Sequence, residues 1–459
     1  MKIDFNRPMH IYFIGIGGAN MSSLASILLD KGFTVSGSDA VKSDNTLRLE
    51  GEGASVFYGQ TEPHVTGSED IVVYNAAIKA DNPDMVAANN AGITLMTRAE
   101  FLGELMRNYG TPIGVSGTHG KTSTTNMISE ILMAAGLDPT LSLGGVLPSI
   151  NSTARDGGRD YFVFEACEYT NSFLSFFPRI EVILNIEEDH LDFFKDLADI
   201  RNSFRLFAGR LPGDGVLVIN GDIADLKEIV GDFTGKVLTF GFDKGFDYWA
   251  DDITFDAAGH PSFTCHERLT GLSYPVKLSL SGRHNVSNSL SAIAVARELG
   301  LAPETISAAL SKASGAKRRF EFRGEFNGVK VIDDFAHHPT EIEATVKAAG
   351  NLPHRELWIA FQPHTYTRTK AFLKDFARVL SKADHLVLAD VYPAREKDIY
   401  GCNSSNLYEE IKKLGTDIHY IKDFDEIERF LKQNCTTGDL LITMGAGNIV
   451  NIADRLTAK

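Results

Sequence analysis

At 459 residues, 43% of them hydrophobic and 23% charged, the chain is too long for one hydrophobic core and has the composition of a globular protein of roughly three domains. Its formal net charge of −15 argues against nucleic acid as a partner, and its four dispersed cysteines argue against a disulfide framework. No signal peptide and no apolar window of about 20 residues is present, so we expect a cytoplasmic location and no membrane partner.

Apolar runs alternate with helical patterns, which predicts α/β domains with parallel sheets wrapped by helices. In the first hundred residues the predicted strands are "IYFIG", "TVSGS", "IVVYNAA" and "GITLMT". The turn "GIGGAN" follows the first strand, and Asp39 follows the second, about 20 residues after Gly17. Glycines at such a turn let a diphosphate approach backbone N–H groups. Asn20 replaces the third glycine of the dinucleotide fingerprint, so the turn predicts a diphosphate site, with a nicotinamide dinucleotide as one alternative.

A second glycine-rich loop, "GTHGKTSTT", follows a Pro- and Gly-containing boundary at residues 107–114 and the strand "PIGVSG". An amphipathic helix follows the loop, which gives the strand–loop–helix order of a phosphate-binding loop. The standard spacing would place a glycine where Val115 stands. The loop backbone can still cradle phosphate oxygens, Lys121 can reach terminal phosphates, and the Thr122 hydroxyl can ligate magnesium.

Two further predicted strands end in groups that suit a hard cation. "DYFVFE" ends at Glu165, and "IEVILNI" is followed by the acidic cluster that ends at His190. Because parallel strands share their carboxyl ends, a carboxylate and an imidazole could hold a magnesium ion that bridges ATP and a substrate oxygen. The alternative is a solvated acidic loop beside a structural histidine.

The remaining pattern predicts a strand-rich patch, a helix and then a new α/β unit. The patch comprises "GVLVIN", "KVLTFGF" and "YPVKLSL", and the helix is "NVSNSLSAIAVARELG". Near "SGAKRRFEFRGE" the pattern resets, and four strands running into polar loops predict a doubly wound domain. We therefore predict domains at 1–109, 110–316 and 317–459.

Nine motifs in series resemble the ATP-dependent Mur ligases of bacterial cell-wall synthesis: "GIGGANMSSLA", "SGTHGKTSTT", "EACEY" with "NIEEDHLD", "SGRHNVSNSLSA", "KRRFE", "DDFAHHPTE", "FQPHTYTRT", "DVYPARE" and "GAGNI". The resemblance covers the whole chain. It implies an N-terminal Rossmann-like domain for a UDP-sugar, a central P-loop ATPase domain with a mostly parallel sheet, and a C-terminal Rossmann-like domain.

Within that family the motifs are most similar to the branch that adds L-alanine. The resemblance implies that the lactyl carboxylate of UDP-N-acetylmuramate takes the γ-phosphoryl group of ATP, with Mg2+ present, and that the amino group of L-alanine attacks the acyl phosphate. Sibling ligases use a carbamylated lysine after the metal histidine, but no lysine occurs between Asp196 and Asp225. A monomer or a homodimer is expected.

The resemblance also implies roles for single residues. Those near ATP are Gly117, Thr118, His119, Gly120, Lys121, Thr122, Ser123, His284, Asn285, Asn288, Arg319 and Asp334. The catalytic residues are Lys121, Glu165 and His190, and the metal ligands are Thr122, Glu165 and His190. The UDP-sugar would contact Gly15, Gly17, Gly18 and Asp39, and the amino acid would contact His337 and Arg368.

Three positions depart from the pattern of relatives. Thr365 stands where an arginine is common, Phe335 where a tyrosine is common, and Asn448 where an acid is common. Three other functions stay open at this point. They are a ligase of the same family that attaches a ready-made tripeptide, a nicotinamide oxidoreductase built on the first glycine turn, and a nucleotide-regulated binding protein without catalysis.

Overall fold

The computed structural model describes residues 3–75, 78–394, 396–399 and 401–458. The chain folds into two compact units. The first comprises residues 1–186, 201–240 and 291–309, and the second comprises 187–200, 241–290 and 310–459.

The first sheet lies in the first unit and has five parallel strands in the order β3-β2-β1-β4-β5, the arrangement of a Rossmann-like domain. Its strands are β1 (His10–Ile14), β2 (Thr34–Asp39), β3 (Ser55–Tyr58), β4 (Ile71–Tyr74) and β5 (Thr94–Thr97). Its helices are α1 (Ala19–Asp30), α2 (Asp44–Glu52), α3 (Pro83–Ala91) and α4 (Arg98–Met106). The side chains of Ser43, Asn82 and Thr97 cap α2, α3 and α4, because each accepts a backbone N–H of the first turn.

The second sheet contains the strand before the phosphate loop. Seven strands follow the order β12-β11-β10-β6-β9-β7-β8, and every neighbouring pair but β7 and β8 is parallel. They are β6 (Thr111–Ser116), β7 (Thr140–Leu147), β8 (Ser152–Arg155), β9 (Tyr161–Glu165), β10 (Ile180–Ile183), β11 (Val216–Asn220) and β12 (Lys236–Gly241). The helices of this stretch are α5 (Lys121–Ala134), α6 (Leu197–Ala208) and α7 (Leu226–Val230), with 3-10 turns at Tyr169–Ser175.

The second unit contains an antiparallel meander and a doubly wound sheet. The meander is β13 (Tyr248–Phe255), β14 (Pro261–Glu267) and β15 (Leu272–Lys277). The chain continues with α8 (Arg283–Glu298) and α9 (Pro303–Leu310), of which residues 291–309 belong to the first unit. The sheet has the order β16-β17-β21-β18-β19-β20, with only β16 antiparallel. Its strands are β16 (Glu321–Phe326), β17 (Val329–Asp334), β18 (Leu357–Phe361), β19 (His385–Leu388), β20 (Asp417–Tyr420) and β21 (Leu440–Met444). Its helices are α10 (Pro339–Ala349), α11 (Tyr366–Ala371), α12 (Leu373–Leu380), α13 (Ser404–Lys412), α14 (Phe424–Asn434) and α15 (Val450–Thr457).

Burial on both faces explains why these strands form. All five residues of β18, "LWIAF", are buried, as are all five of β21. Their side chains alternate between two apolar clusters, with Ile359 in one and Trp358 in the other. Continuous apolar runs of this kind are typical of parallel strands covered by helices.

The predicted α/β class with mostly parallel sheets is confirmed. Seven strands are absent from the prediction: β3, β7, β8, β13, β14, β16 and β20. Most of them carry many partly or fully exposed residues, so their sequences lack a long apolar run. Residues 76–77, at the end of the predicted strand "IVVYNAA", lie outside the described residues. All four cysteines are free thiols, and no helix among the described residues combines the length and apolarity needed to cross a bilayer.

A buried glutamate in the second sheet is an exception to its apolar surroundings. Glu181 lies in β10, is 0% exposed, and neither carboxylate oxygen has a hydrogen-bond partner among the described residues. Burial raises the pKa of Glu181 well above its ordinary value. The folded chain therefore keeps this proton at pH values where the unfolded chain has lost it, so Glu181 lowers stability increasingly as pH rises above about 4.5.

We expect Glu181→Met to stabilise the protein at pH 7.5 by about 1–3 kcal/mol, because it removes the unpaired polar group at similar volume. The gain should shrink at pH 5, where the carboxyl group is closer to neutral in both states. Denaturant unfolding followed by circular dichroism at both pH values measures this difference. Exposed Glu62, changed to Met, is the control and should shift stability by less than about 0.5 kcal/mol. A loss of stability in Glu181→Met at both pH values would contradict the destabilising effect assigned to the buried carboxyl group.

Candidate functional site

The second glycine loop joins β6 to α5 and is closed by an asparagine that follows the neighbouring strand β10. Gly117 lies at φ +138°, and a Cβ there would come within 3.0–3.2 Å of Leu184 and the backbone of Asn185. The Asn185 side chain accepts the N–H of His119 at 2.8 Å and donates to the carbonyl of His119 at 3.0 Å. The backbone carbonyl of Asn185 accepts the N–H of Thr118 at 3.2 Å. The loop is therefore held in shape by the end of β10.

Lys121, the first residue of α5, lies against its own loop. Its ammonium group donates to the carbonyl oxygens of Gly117 and Thr118, the latter at 3.1 Å, and to the Glu168 carboxylate at 2.9 Å. The two charged side chains are 15% and 3% exposed. Burial opposes the charge of Lys121, but Glu168 outweighs it and raises the pKa of the lysine. The loop thus carries a permanent, oriented cation.

Oxygen donors meet beside this lysine. The Thr122 hydroxyl donates to Glu165 Oε2 at 3.2 Å, and Glu165 Oε1 accepts the N–H of Gly144 at 2.6 Å. A Cβ at Gly144 would lie 2.4–2.7 Å from the Glu165 carboxyl atoms, so any other residue there would displace the carboxylate. Hydroxyl and carboxylate oxygens are the ligands that Mg2+ prefers. The predicted juxtaposition of Thr122 and Glu165 is therefore observed. Ser123, the next residue of α5, is half-buried.

The first glycine turn is stabilised by the acid at the end of β2. Asp39 Oδ2 accepts the N–H of Gly17 at 2.8 Å, and the Asn45 side chain donates to the Gly17 carbonyl at 3.0 Å. A Cβ at Gly17 would lie 2.7 Å from Thr46 and 2.9 Å from Asp39, and Gly15 lies at φ +79°. The N–H of Gly18 donates to the Gly15 carbonyl at 3.2 Å. In this structure Asp39 therefore supports the turn itself.

In the second unit, a buried ion pair joins two of the predicted motifs. Arg368 of α11 donates through Nε and Nη2 to Asp189 Oδ1, at 3.1 and 2.8 Å. The same oxygen accepts the N–H of His190 at 2.8 Å, and His190 lies at φ +53°. Burial would raise the pKa of Asp189, but the Arg368 guanidinium holds it below its ordinary value. His190 and Arg368 therefore belong to one cluster.

Two histidines adjoin this pair and are neutral. The rings of His337 and His364 lie 5.6 Å apart, and Arg368 Nη1 donates to His364 Nδ1 at 3.3 Å. Burial lowers the pKa of His337 to about 3 and that of His364 to about 4. A pocket of about 20 Å3, room for about one water, lies beside the cluster. The pocket lining includes His190, Leu191, Thr365, Arg368 and Ala371. His337 and Arg368, which were predicted to share a ligand, thus lie in one neighbourhood.

The residues predicted near the nucleotide in the second unit have varied surroundings. The Asn285 side chain accepts from Asn288 at 3.2 Å at the start of α8, where His284 is exposed. Asp334 accepts the Thr345 hydroxyl at 2.7 Å, and burial raises its pKa to about 6. Arg319 lies 3.6 Å from Glu341 and is 30% exposed.

The three positions that depart from relatives differ in strain and exposure. Thr365 lies at φ +66°, a backbone region that β-branched residues rarely adopt. The Phe335 ring lies 5.0 and 5.2 Å from the guanidinium carbons of Arg318 and Arg319. Asn448 is exposed. Strain of this kind at Thr365 is typical of binding sites.

Sequence reasoning did not predict the contacts of four residues that shape these sites. Glu168 pairs with Lys121, Asn185 closes the loop, and Asp189 holds Arg368. Arg318 donates to Asp333 at 2.9 Å and to the Gly445 carbonyl at 2.7 Å, which ties "KRRFE" to "GAGN". Each lies inside or next to a quoted motif. For Glu168, Asn185 and Asp189 the signal was a charged or amide side chain shortly after a buried strand, but the partner of each is distant in sequence.

Models of protein families match most of the chain. The Mur ligase family catalytic domain matches residues 10–110, the Mur ligase middle domain 115–296, and the Mur ligase glutamate ligase domain 318–447. The chain belongs to the Mur ligase family. The resemblance carried by the motifs is therefore confirmed.

Relatives of this Mur ligase match it from end to end. A UDP-N-acetylmuramate–L-alanine ligase of Agathobacter rectalis is 54% identical and covers 100% of both chains. A protein of the same name from Lachnospira eligens is 52% identical over 99% of both. Among solved structures, the UDP-N-acetylmuramate–alanine ligase MurC of Thermotoga maritima has a TM-score of 0.82 at 26% identity over 98% of both chains. A murein peptide ligase of Psychrobacter arcticus has a TM-score of 0.72 at 28% identity, also over 98%.

We expect Gly144→Ala to lower ligase activity about 10- to 100-fold, because the new methyl group displaces the Glu165 carboxylate from Thr122. Gly144 is exposed and lacks a positive φ, so stability should change by less than about 1 kcal/mol. Phosphate release and thermal unfolding measure the two effects. Gly213→Ala, where the added Cβ meets nothing within 4 Å, is the matched control. Activity unchanged in both variants would contradict a role for the Glu165 geometry.

Proposed function

We propose that this Mur ligase joins L-alanine to the lactyl carboxylate of UDP-N-acetylmuramate, with cleavage of ATP to ADP and phosphate, in peptidoglycan precursor synthesis. The observation that carries the proposal is full-length identity above 50% to two proteins named UDP-N-acetylmuramate–L-alanine ligase. The phosphate loop, with its paired lysine and its oxygen donors, supplies the chemistry that an ATP-dependent ligase requires.

The reaction needs an activated carboxylate, because a carboxylate is a poor electrophile and oxide is a poor leaving group. Transfer of the γ-phosphoryl group to the lactyl carboxylate gives an acyl phosphate. The amine of L-alanine attacks its carbonyl carbon, and phosphate leaves from the tetrahedral intermediate. Alignment and charge neutralisation dominate such a transfer. The Lys121 ammonium, paired with Glu168, would neutralise charge on the phosphoryl group after it leaves the loop carbonyls.

Magnesium belongs to this proposal. The Thr122 hydroxyl and the Glu165 carboxylate, 3.2 Å apart, form a hard oxygen donor set that fits Mg2+, and His190 is proposed as a further ligand. When bound, the ion would neutralise phosphate charge. Glu165 is oriented by the hydrogen bond from the Gly144 N–H, and Thr122 is positioned by the first turn of α5.

The remaining predicted roles are proposed as a set. Gly117, Thr118, His119, Gly120 and Ser123 would surround the phosphates, and His284, Asn285, Asn288, Arg319 and Asp334 would contact the rest of the nucleotide. Gly15, Gly17, Gly18 and Asp39 would bind the UDP-sugar. Domains at 1–109, 110–316 and 317–459 would carry these sites, and the family-model ranges support the boundaries.

The alternative within the family is a ligase that attaches a ready-made tripeptide. The structural likeness to the murein peptide ligase keeps it as the second candidate. Phosphate release with UDP-N-acetylmuramate and either L-alanine or tripeptide separates the two, and turnover with tripeptide alone would overturn the proposal. The nicotinamide oxidoreductase leaves the phosphate loop unexplained. Binding of NADH without binding of the UDP-sugar would favour it.

We expect Lys121→Ala to lower kcat at least about 1000-fold, because it removes the fixed cation at the phosphoryl group. UDP-sugar affinity should stay within about twofold, because Gly15–Gly18 carry that site in this proposal. Phosphate release and calorimetric titration of the UDP-sugar test the separation. Exposed Lys195, changed to Ala, is the control. The double variant Lys121→Ala/Glu168→Gln also removes the buried negative charge that Lys121 balances. Equal loss of both functions would refute the separation.

We expect Arg368→Ala to raise the KM for L-alanine about 10- to 100-fold with a smaller change in kcat, because it removes a cation for the substrate carboxylate. Initial rates at varied alanine, with the other substrates saturating, measure this. Arg378, which is 56% exposed, provides the control variant Arg378→Ala. An unchanged alanine dependence would remove Arg368 from the amino-acid site.

A further inference from the structure

Two side chains that the family motifs leave without a role hold the Arg368 guanidinium on different sides. Asp189 takes the edge formed by Nε and Nη2. His364 faces Nη1, with 3.3 Å between Nη1 and Nδ1. Arginine has only donors, so Nδ1 of His364 must be the acceptor and its proton must lie on Nε2. The Nε–Nη2 edge is therefore occupied, and one of the two Nη1 hydrogens is donated to His364.

Burial makes this arrangement rigid. The Arg368 and Asp189 side chains are each 8% exposed. Asp189 is itself held, because its Oδ1 also accepts the N–H of His190 at 2.8 Å. A buried ion pair keeps one geometry, because separating the two groups would leave two buried charges without a counter-charge. Arg368 therefore cannot turn its Nε–Nη2 edge toward a ligand without breaking the pair.

We propose that Asp189 and His364 are positioning residues that orient Arg368, so that its Nη1–Nη2 edge receives the carboxylate of the incoming amino acid. This inference rests on the proposed function. A planar fork binds a carboxylate best when its direction is set in advance. Since Asp189 also bonds the backbone of His190, it ties the amino-acid site to the residue proposed at the metal.

Steady-state kinetics of three variants test the inference. Asp189→Asn keeps an oxygen acceptor but loses the charge that holds Arg368, and should raise the KM for L-alanine about tenfold with kcat within about threefold. His364→Ala removes the acceptor and should raise that KM about fivefold. His364→Asn, whose side-chain oxygen can replace Nδ1, should restore it to within about twofold of the unmodified chain. The KM values for ATP and UDP-N-acetylmuramate should stay within about twofold in all three.

The control and the contrary outcomes separate this inference from the proposed function. Asp199→Asn removes an exposed charge nearby in sequence and should leave every constant unchanged. An unchanged alanine KM in Asp189→Asn and His364→Ala, or a parallel rise in all three KM values, would overturn the positioning role alone. If Asp189→Asn does not fold, the two His364 variants decide. Failure of the unmodified chain to turn over alanine would overturn the proposed function and this inference with it.

Discussion

The parallel pairing of β6 with β9 and β10 is the constraint on which the phosphate-loop site depends. Neighbouring parallel strands end at the same edge of a sheet, so three stretches that are distant in sequence leave their polar residues together. Gly117 follows β6, Glu165 ends β9, and Asn185 follows β10. The loop is shaped by Asn185, and the hydroxyl of Thr122 reaches Glu165, only because these strands lie side by side.

In both units, buried charged side chains form ion pairs. Lys121 with Glu168, and Arg368 with Asp189, are almost inaccessible to solvent, and each pair belongs to a region with a proposed chemical role. Such pairs add little stability compared with apolar residues of the same size. In this protein each ion pair fixes the position and orientation of a cation. Glu181 shows the opposite case, a buried carboxyl group without a described partner, and burial raises its pKa well above the ordinary value.

The two glycine turns illustrate how far reasoning from sequence reaches. The requirement for glycine at positions 17 and 117 follows from close contacts that the motifs anticipate. The partner of each turn was harder to assign. Asp39 was predicted to contact the UDP-sugar, and its carboxylate accepts the Gly17 N–H, so it also shapes the turn. No role was predicted for Asn185, because an asparagine after a strand can make many kinds of contact. Only the tertiary structure shows that its side chain binds the backbone of His119.

The order of motifs along the chain was sufficient by itself for the α/β class, the glycine loops, the candidate lysine, carboxylate and histidine, and the membership in the Mur ligase family. Each motif is local, since it depends on a strand and loop pattern within about ten residues, and the order of the motifs can be read directly from the sequence. Which charges pair was decided only by the tertiary structure. Glu168 lies 47 residues from Lys121, and Asp189 lies 179 residues from Arg368. Contacts over such separations depend on strand order and burial, and neither is encoded in any single stretch of sequence.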